Sequence, residues 1–246
     1  MTDTPADDLK PGFRSDVTVE LVKHSATDSD VLFAARVSTA GEQSLDELKK
    51  DPERSKGLIN FLMRDRHGSP FEHNSMTFFI SAPIFVFREF MRHRVGWSYN
   101  EESGRYRELQ PVFYVPDESR KLVQEGRPGK YVFVEGTQAQ QELTGRVMED
   151  SYRHAYEAYQ EMLAAGVARE VARSVLPVGL YSSMYATCNA RSLMHFLGLR
   201  TQHELAKVPS FPQREIEMVG EKMEAEWAKL MPLTHAAFNT NGRVAP

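Results

Sequence analysis

Between Arg92 and Arg107 the chain gathers residue types that hold anions. Arg92-His93-Arg94 is followed by Ser98, Asn100, Glu101, Glu102, Ser103, Gly104, Arg105, Tyr106 and Arg107, a run ill suited to a core. Guanidinium forks match phosphate oxygens in pairs, and a Ser-Gly-Arg turn offers backbone N–H groups to an anion. The run therefore reads as a site for a phosphate-rich ligand. A helix expected from Pro83 to about Arg94 would place Arg88 and Arg92, four residues apart, on one face leading into it.

A second constellation lies on the helix expected over Asn189 to Arg200 and capped by Asn189. At about 100° per residue, Arg191 and His195 share one stripe while Arg200 points to the opposite side. Two pockets could flank this helix, or one pocket could be completed by another subunit, with Leu193, Phe196 and Leu197 as the packing face. Exposed arginines on a surface helix are the remaining alternative. Other nominees are weaker. The stretch from His67 to His73 lacks helical i, i+4 histidine pairing and contains Pro70, and neither His93, His195 nor His203 completes a spaced motif, so no metal site is expected. Ser103 has no nucleophile elbow and no local histidine base. Cys188, flanked by an expected strand and helix, reads as buried filler.

Composition bounds the rest. With 246 residues, 41% hydrophobic and 26% charged, the chain can bury a sizeable core as one domain over residues 17–246. A flexible leader is expected over residues 1–16, which lack the apolar stretch of a secretory signal. The net charge of -4 argues against a general nucleic-acid binder and leaves the positive charge local. The single cysteine excludes an intrachain disulfide framework and points to a reducing compartment. No window approaches the roughly 20 apolar residues of a membrane span. A cytoplasmic protein follows, with no membrane partner.

The elements that must position these residues are mixed, with helix dominant: an α+β fold with a small antiparallel or mixed sheet. Strands are expected over Val17–Val22, Ser75–Ser81, Val112–Val115 and Tyr181–Thr187. Helices are expected over Asp28–Ser38, from Asp51-Pro52 to Arg66, from Thr137 to about Ala165 with Gly166 as C-cap, and from Phe211 to Leu230, with a further helical turn carrying Arg169 and Arg173. Lys121 to Gly136 reads as an exposed excursion.

Arg92-His93-Arg94 followed by Ser98-Tyr-Asn-Glu-Glu-Ser-Gly-Arg-Tyr106 resembles the signature of the flavin-dependent thymidylate synthases, also called thymidylate synthase complementing proteins. Further blocks are similar to that family: Ala34 to Ser38, His67 to His73, Ala82 to Val86, Arg169 to Arg173 with Leu176-Pro177, and Asn189 to Met194 with Leu199-Arg200. In order, they cover most of the chain. One residue more separates Arg94 from Ser103 than in the usual pattern, Glu89 stands where glutamine is common, and the segment after Arg200 differs in length.

The resemblance implies a homotetramer with active sites between subunits. It would make dTMP from dUMP with FAD, methylenetetrahydrofolate and NADPH. Carried onto matching positions, Ser69, Arg92, His93, Arg94, Glu101, Asn189, Arg191 and His195 would contact FAD. The nucleotide would be held by Glu89, Arg92, Glu101, Glu102, Ser103, Gly104, Arg105, Arg173 and Arg200. Arg200 would be catalytic, its charge stabilising the uracil ring as N3 loses a proton and C5 gains electron density. Two rivals remain open: a non-catalytic nucleotide-responsive protein, and a nucleic-acid module with steep salt dependence.

Overall fold

Thr137 starts the longest helix of the chain by a reciprocal capping box: its hydroxyl accepts from the Gln140 N–H while the Gln140 side chain accepts from the Thr137 N–H. Gly166, at φ +82°, follows the end of that helix, a conformation that costs glycine little. Such local signals set many element ends in this computed structural model, which describes residues 10–40, 52–127 and 130–246.

The chain order is β1 (Gly12–Arg14), β2 (Thr18–His24), α1 (Asp28–Ala40), α2 (Pro52–Arg64), β3 (Met76–Pro83), α3 (Ile84–Phe90), β4 (Trp97–Glu101) and β5 (Val112–Tyr114). There follow β6 (Val123–Arg127), β7 (Lys130–Val134), α4 (Gln138–Ala164), α5 (Arg169–Ala172), β8 (Tyr181–Cys188), α6 (Ala190–Arg200), α7 (Arg214–Leu230) and α8 (Pro232–Thr240). Short 3-10 turns cover Ser69–Glu72 and Arg173–Val175. The fold is helix-rich α+β with small sheets: β2-β3-β8-β4, the parallel pair β1-β5, and the antiparallel pair β6-β7.

Two compact units, each made of three chain segments, account for these elements, and their boundaries fall between β1 and β2 and inside β3, α3, β4 and β8. The first comprises Ser81–Arg88, Glu101–Ser183 and the residues up to Asp16. Its core joins Phe113, Leu180 and Leu109 to Tyr152, Tyr156 and Tyr159, which recur at i, i+4, i+7 along α4 and so form one stripe. Phe113 stacks on Tyr152 with ring centroids 4.9 Å apart.

The second unit comprises Val17–Ile80, Glu89–Asn100 and Met184–Pro246. Phe90, Phe196, Trp227 and Phe238 are fully buried in it. Burying each contributes about 1.5–3 kcal/mol before cavity terms. Asp28 accepts from the Leu233 and Thr234 N–H groups and so caps the start of α8.

Several expectations need correction. Residues 12–14, read as part of a flexible leader, form β1, because Gly12, Phe13 and Arg14 pair with Val112, Phe113 and Tyr114; residues 1–9 lie outside the described residues, as does Asp51. The excursion from Lys121 to Gly136 is a hairpin. Its strands are mostly exposed on both faces, so neither Val123–Arg127 nor Lys130–Val134 shows the in-out alternation that would announce the pairing, and a Cβ on Gly126 (φ +92°) would strike the Lys130 carbonyl. Helix α3 ends at Phe90 rather than Arg94. The backbone tightens there into i→i−3 turns, the Arg92 N–H donating to the Glu89 carbonyl and the His93 N–H to the Phe90 carbonyl, and the Tyr99 hydroxyl shares its one proton between the Phe90 and His93 carbonyls at 3.0 and 2.8 Å. Arg92 therefore lies beyond the helix. Trp97–Glu101, read as polar run, is strand β4. Helix α7 begins at Arg214, past Phe211 and Pro212.

Candidate functional site

Of the nominated residues, Ser69, Glu89, Arg92, His93, Arg94, Asn189, Arg191, His195 and Arg200 belong to the second unit. Glu101, Glu102, Ser103, Gly104, Arg105 and Arg173 belong to the first.

In the second unit the centre is Arg200, at the last position of α6 and 22% exposed. Its Nη1 donates to Glu89 Oε2 at 2.5 Å, and its Nε donates to His93 Nε2 at 3.2 Å. A ring nitrogen that accepts is unprotonated, so His93 is neutral and carries its proton on Nδ1. Burial first, then the charges of Arg200 and His195, bring the His93 pKa down to about 4. Phe196 supports the ring in a T-shaped contact at 4.9 Å, and Phe196, Trp97 and Phe90 pack on one another. Burial raises the Glu89 carboxyl, Arg200 opposing and Glu215 adding to the rise.

The opposite side of α6 carries the other group. Asn189 caps the helix, its Oδ1 accepting from the Ser192 N–H at 2.9 Å, and Asn74 Oδ1 accepts from the Ala190 N–H at 2.8 Å. Arg191 lies across Gly68, where a Cβ would approach its guanidinium carbon to 2.5 Å. Its Nη1 donates to Glu72 Oε1 at 2.5 Å and its Nε to the Pro246 carbonyl at 2.6 Å. Ser69 starts the adjoining 3-10 turn. His195 sits below its ordinary pKa through burial and the Arg191 and Arg66 charges. The 180° separation between Arg191 and Arg200 expected from helical pitch is thus realised as two separate sets of partners.

Arg92 and Arg94 are exposed, and neither has an ion pair among the described residues. Gly96 follows them at φ +70°, with space for a Cβ denied by the Ser192 hydroxyl and the Asn189 amide. Ser192 in turn donates to the Val95 carbonyl at 3.0 Å, fastening the turn after Arg94 to α6.

In the first unit the Ser103-Gly104-Arg105 segment is a turn, the Ser103 carbonyl accepting from the Tyr106 and Arg107 N–H groups. Arg173 packs its Cδ 3.3 Å from where a Gly104 Cβ would stand, and it has no ion pair among the described residues. Arg105 is held by Glu170 at 2.8 Å, both half exposed. Glu102 accepts from the Ser183 hydroxyl and pairs with Arg107 at 3.1 Å. Burial raises the Glu101 carboxyl; the Ser182 hydroxyl opposes this, Glu102 reinforces it and Arg173 opposes it. The first unit thus offers one unengaged arginine beside a turn and a carboxylate that burial makes a ready proton acceptor.

Cys188 is buried and its thiol is pushed well up, in accord with filler rather than nucleophile. Sequence reasoning missed Glu72, Trp97 and Tyr99, which hold Arg191 and His93 in place. The apolar-polar alternation Trp97-Ser98-Tyr99-Asn100 was the available signal for the last two.

A family profile described as Thymidylate synthase complementing protein matches residues 20–233. A Flavin-dependent thymidylate synthase of Streptomyces avermitilis is 96% identical over 246 residues, covering 100% of both chains. One of Streptomyces coelicolor is 89% identical over the same span, again covering 100% of both. Among solved structures, a UMP/dUMP methylase PolB from Streptomyces cacaoi bound with 5-Br dUMP is 58% identical, with a TM-score of 0.90, covering 96% of this chain and 100% of that one. Signature, fold and these likenesses agree over nearly the whole length: the chain belongs to the thymidylate synthase complementing protein family, the flavin-dependent thymidylate synthases.

Proposed function

We propose that this protein makes dTMP from dUMP, with methylenetetrahydrofolate as one-carbon donor and NADPH as reductant, through enzyme-bound FAD. The observation that carries the reading is the pairing of an arginine poised on neutral and weakly acidic acceptors with the lack of a usable thiol. The one cysteine of the chain is buried and its thiol is pushed up, so activation of uracil C5 falls to Arg200. FAD supplies hydride transfer and carriage of the one-carbon unit when bound.

The residues fit such a cofactor. Arg92 and Arg94 carry no ion pair among the described residues, Asn189 keeps its Nδ2 donor after capping, and Arg191 is fixed by Glu72: a donor set suited to a dinucleotide pyrophosphate. Ser69 and His195 complete it. His93 accepts from Arg200 and so orients that guanidinium. Glu101, Glu102, Ser103 and Gly104 border the nucleotide, with Glu89 and Arg92, while Arg105 and Arg173 take its phosphate. Arg200 faces the pyrimidine, stabilising negative charge as N3 loses its proton.

The protein works as a homotetramer in the cytoplasm, with the chain from β1 onward as one catalytic domain. The opposed partner sets of Arg191 and Arg200 support a site completed by a second subunit. Among the described residues no helix is long and apolar enough to cross a membrane.

The test is an absorption spectrum after incubation with FAD and desalting, followed by turnover with dUMP, methylenetetrahydrofolate and NADPH. A retained oxidised-flavin spectrum and dTMP formation are expected. dUMP binding without flavin would overturn the enzyme in favour of a nucleotide-responsive protein. Arg173→Ala will raise the dUMP KM roughly ten- to hundredfold, the loss of charge-assisted bonds worth about 1.5–3 kcal/mol. Arg105→Ala will raise it less, because Arg105 must first leave Glu170. Steady-state saturation curves check both; an unchanged KM for Arg173→Ala removes it from the phosphate site.

A further inference from the structure

The closest partner of Arg200 is the carboxylate of Glu89, with both side chains about three-quarters buried. The arrangement poses a physical problem for the reaction. A carboxylate 2.5 Å from the guanidinium cancels much of the positive field that would stabilise an anionic pyrimidine. Moving Arg200 to the ligand leaves Glu89 a half-buried charge without its partner, which is costly. Binding a phosphate-bearing nucleotide nearby makes that charge costlier still. Taking up one proton removes the cost.

We propose that Glu89 is the positioning residue of Arg200: its carboxylate holds the guanidinium in the nucleotide-free protein, and transfer of Arg200 to the nucleotide is coupled to uptake of one proton by Glu89. The balance is simple. The Glu89 carboxylate gains a proton from solvent, its ion pair breaks, and Arg200 keeps its charge and turns its N–H groups to the pyrimidine. The coupling rests on the reading that Arg200 acts on dUMP.

The surroundings favour this course. Burial raises the Glu89 carboxyl, Glu215 of α7 raises it further, and Arg200 of α6 is the charge opposing the rise. His93, the second acceptor of Arg200, is held near pKa 4 by burial, Arg200 and His195, so it stays neutral around pH 7 to 9 and cannot be the group that takes the proton. As a neutral acceptor it also keeps a fixed point for Arg200 Nε when Nη1 lets go of Glu89.

The experiment is calorimetric titration of the FAD-loaded protein with dUMP, in two buffers of different protonation enthalpy, from about pH 7 to pH 9, where the nucleotide phosphate is already dianionic. Wild-type protein is expected to take up more protons per nucleotide than Glu89→Gln, by an excess of at most one. Its Kd is expected to weaken by up to tenfold per pH unit relative to that variant, whose profile lacks this component. Equal proton uptake by the two proteins overturns the coupling and leaves the synthase reading intact. No dUMP binding by the wild type overturns both. If Glu89→Gln does not fold, Glu89→Ala takes its place in the same comparison, in which any proton lost by N3 of the nucleotide cancels between the two proteins: equal uptake overturns the proposal, and greater uptake by the wild type upholds it.

Discussion

Arg200→Ala will retain oxidised flavin and lose about 100- to 1,000-fold in kcat, the range seen when a preorganised donor to a developing anion is removed. Two features make this expectation sharp. Arg200 lies on the side of α6 away from Arg191, Asn189 and the turn carrying Ser69, so of the set assigned to the cofactor only His93 loses a partner. Its own contacts are with Glu89 and His93, neither of which it needs for folding as a buried, fully desolvated pair would. Arg200→Lys keeps a charge without the planar fork and will recover only part of the rate. A flavin spectrum and steady-state turnover measured on one preparation decide the matter. Full turnover would remove Arg200 from the mechanism, and lost flavin would mean that the two sides of α6 are not independent.

The second large effect is on stability. Arg243 is 1% exposed at its side chain and donates to both oxygens of Glu224, at 2.6 and 2.7 Å, with further bonds to Asn239 Oδ1 and Thr201 Oγ1. Glu224→Ala leaves a buried guanidinium without its counter-charge and will cost about 3–5 kcal/mol. Replacing both partners by apolar residues of similar volume will restore much of it, because no charge is then left buried. Denaturant unfolding of the two variants checks this. Equal loss in both would point to packing rather than charge.

The same pair gives a pH dependence. Burial alone would raise the Glu224 carboxyl, but the Arg243 and His235 interactions outweigh it and bring the pKa down to about 2. A depressed folded-state pKa means that the stabilisation is present above the ordinary value of 4.5 and is lost as pH falls from there toward 2. The loss is on the order of 3 kcal/mol. Glu224→Ala will therefore show a flatter acid limb than the wild type. The link to function is short: Thr201, which Arg243 holds, directly follows Arg200.

Periodicity and end signals made much of this molecule legible in the sequence. Asn189 announced the start of α6, Thr137 that of α4, and the tyrosines at 152, 156 and 159 lie on one stripe because 3.6 residues complete a turn. The opposed directions of Arg191 and Arg200 followed from the same pitch. Strand β4 was obscured because its alternation is embedded among charges, and the β6-β7 hairpin because strands exposed on both faces carry no apolar period.

By itself the sequence determined the helix faces, the anion-binding residue types and the family signature, since these depend on spacing and chemistry within a few residues. Which acceptors those cations meet was decided only by tertiary structure. Arg200 reaches Glu89 and His93 across more than 100 positions, and Arg191 reaches Glu72 across 119. No local rule specifies such pairs, because they form only when packing brings distant segments within hydrogen-bond reach and removes the water that would otherwise solvate them.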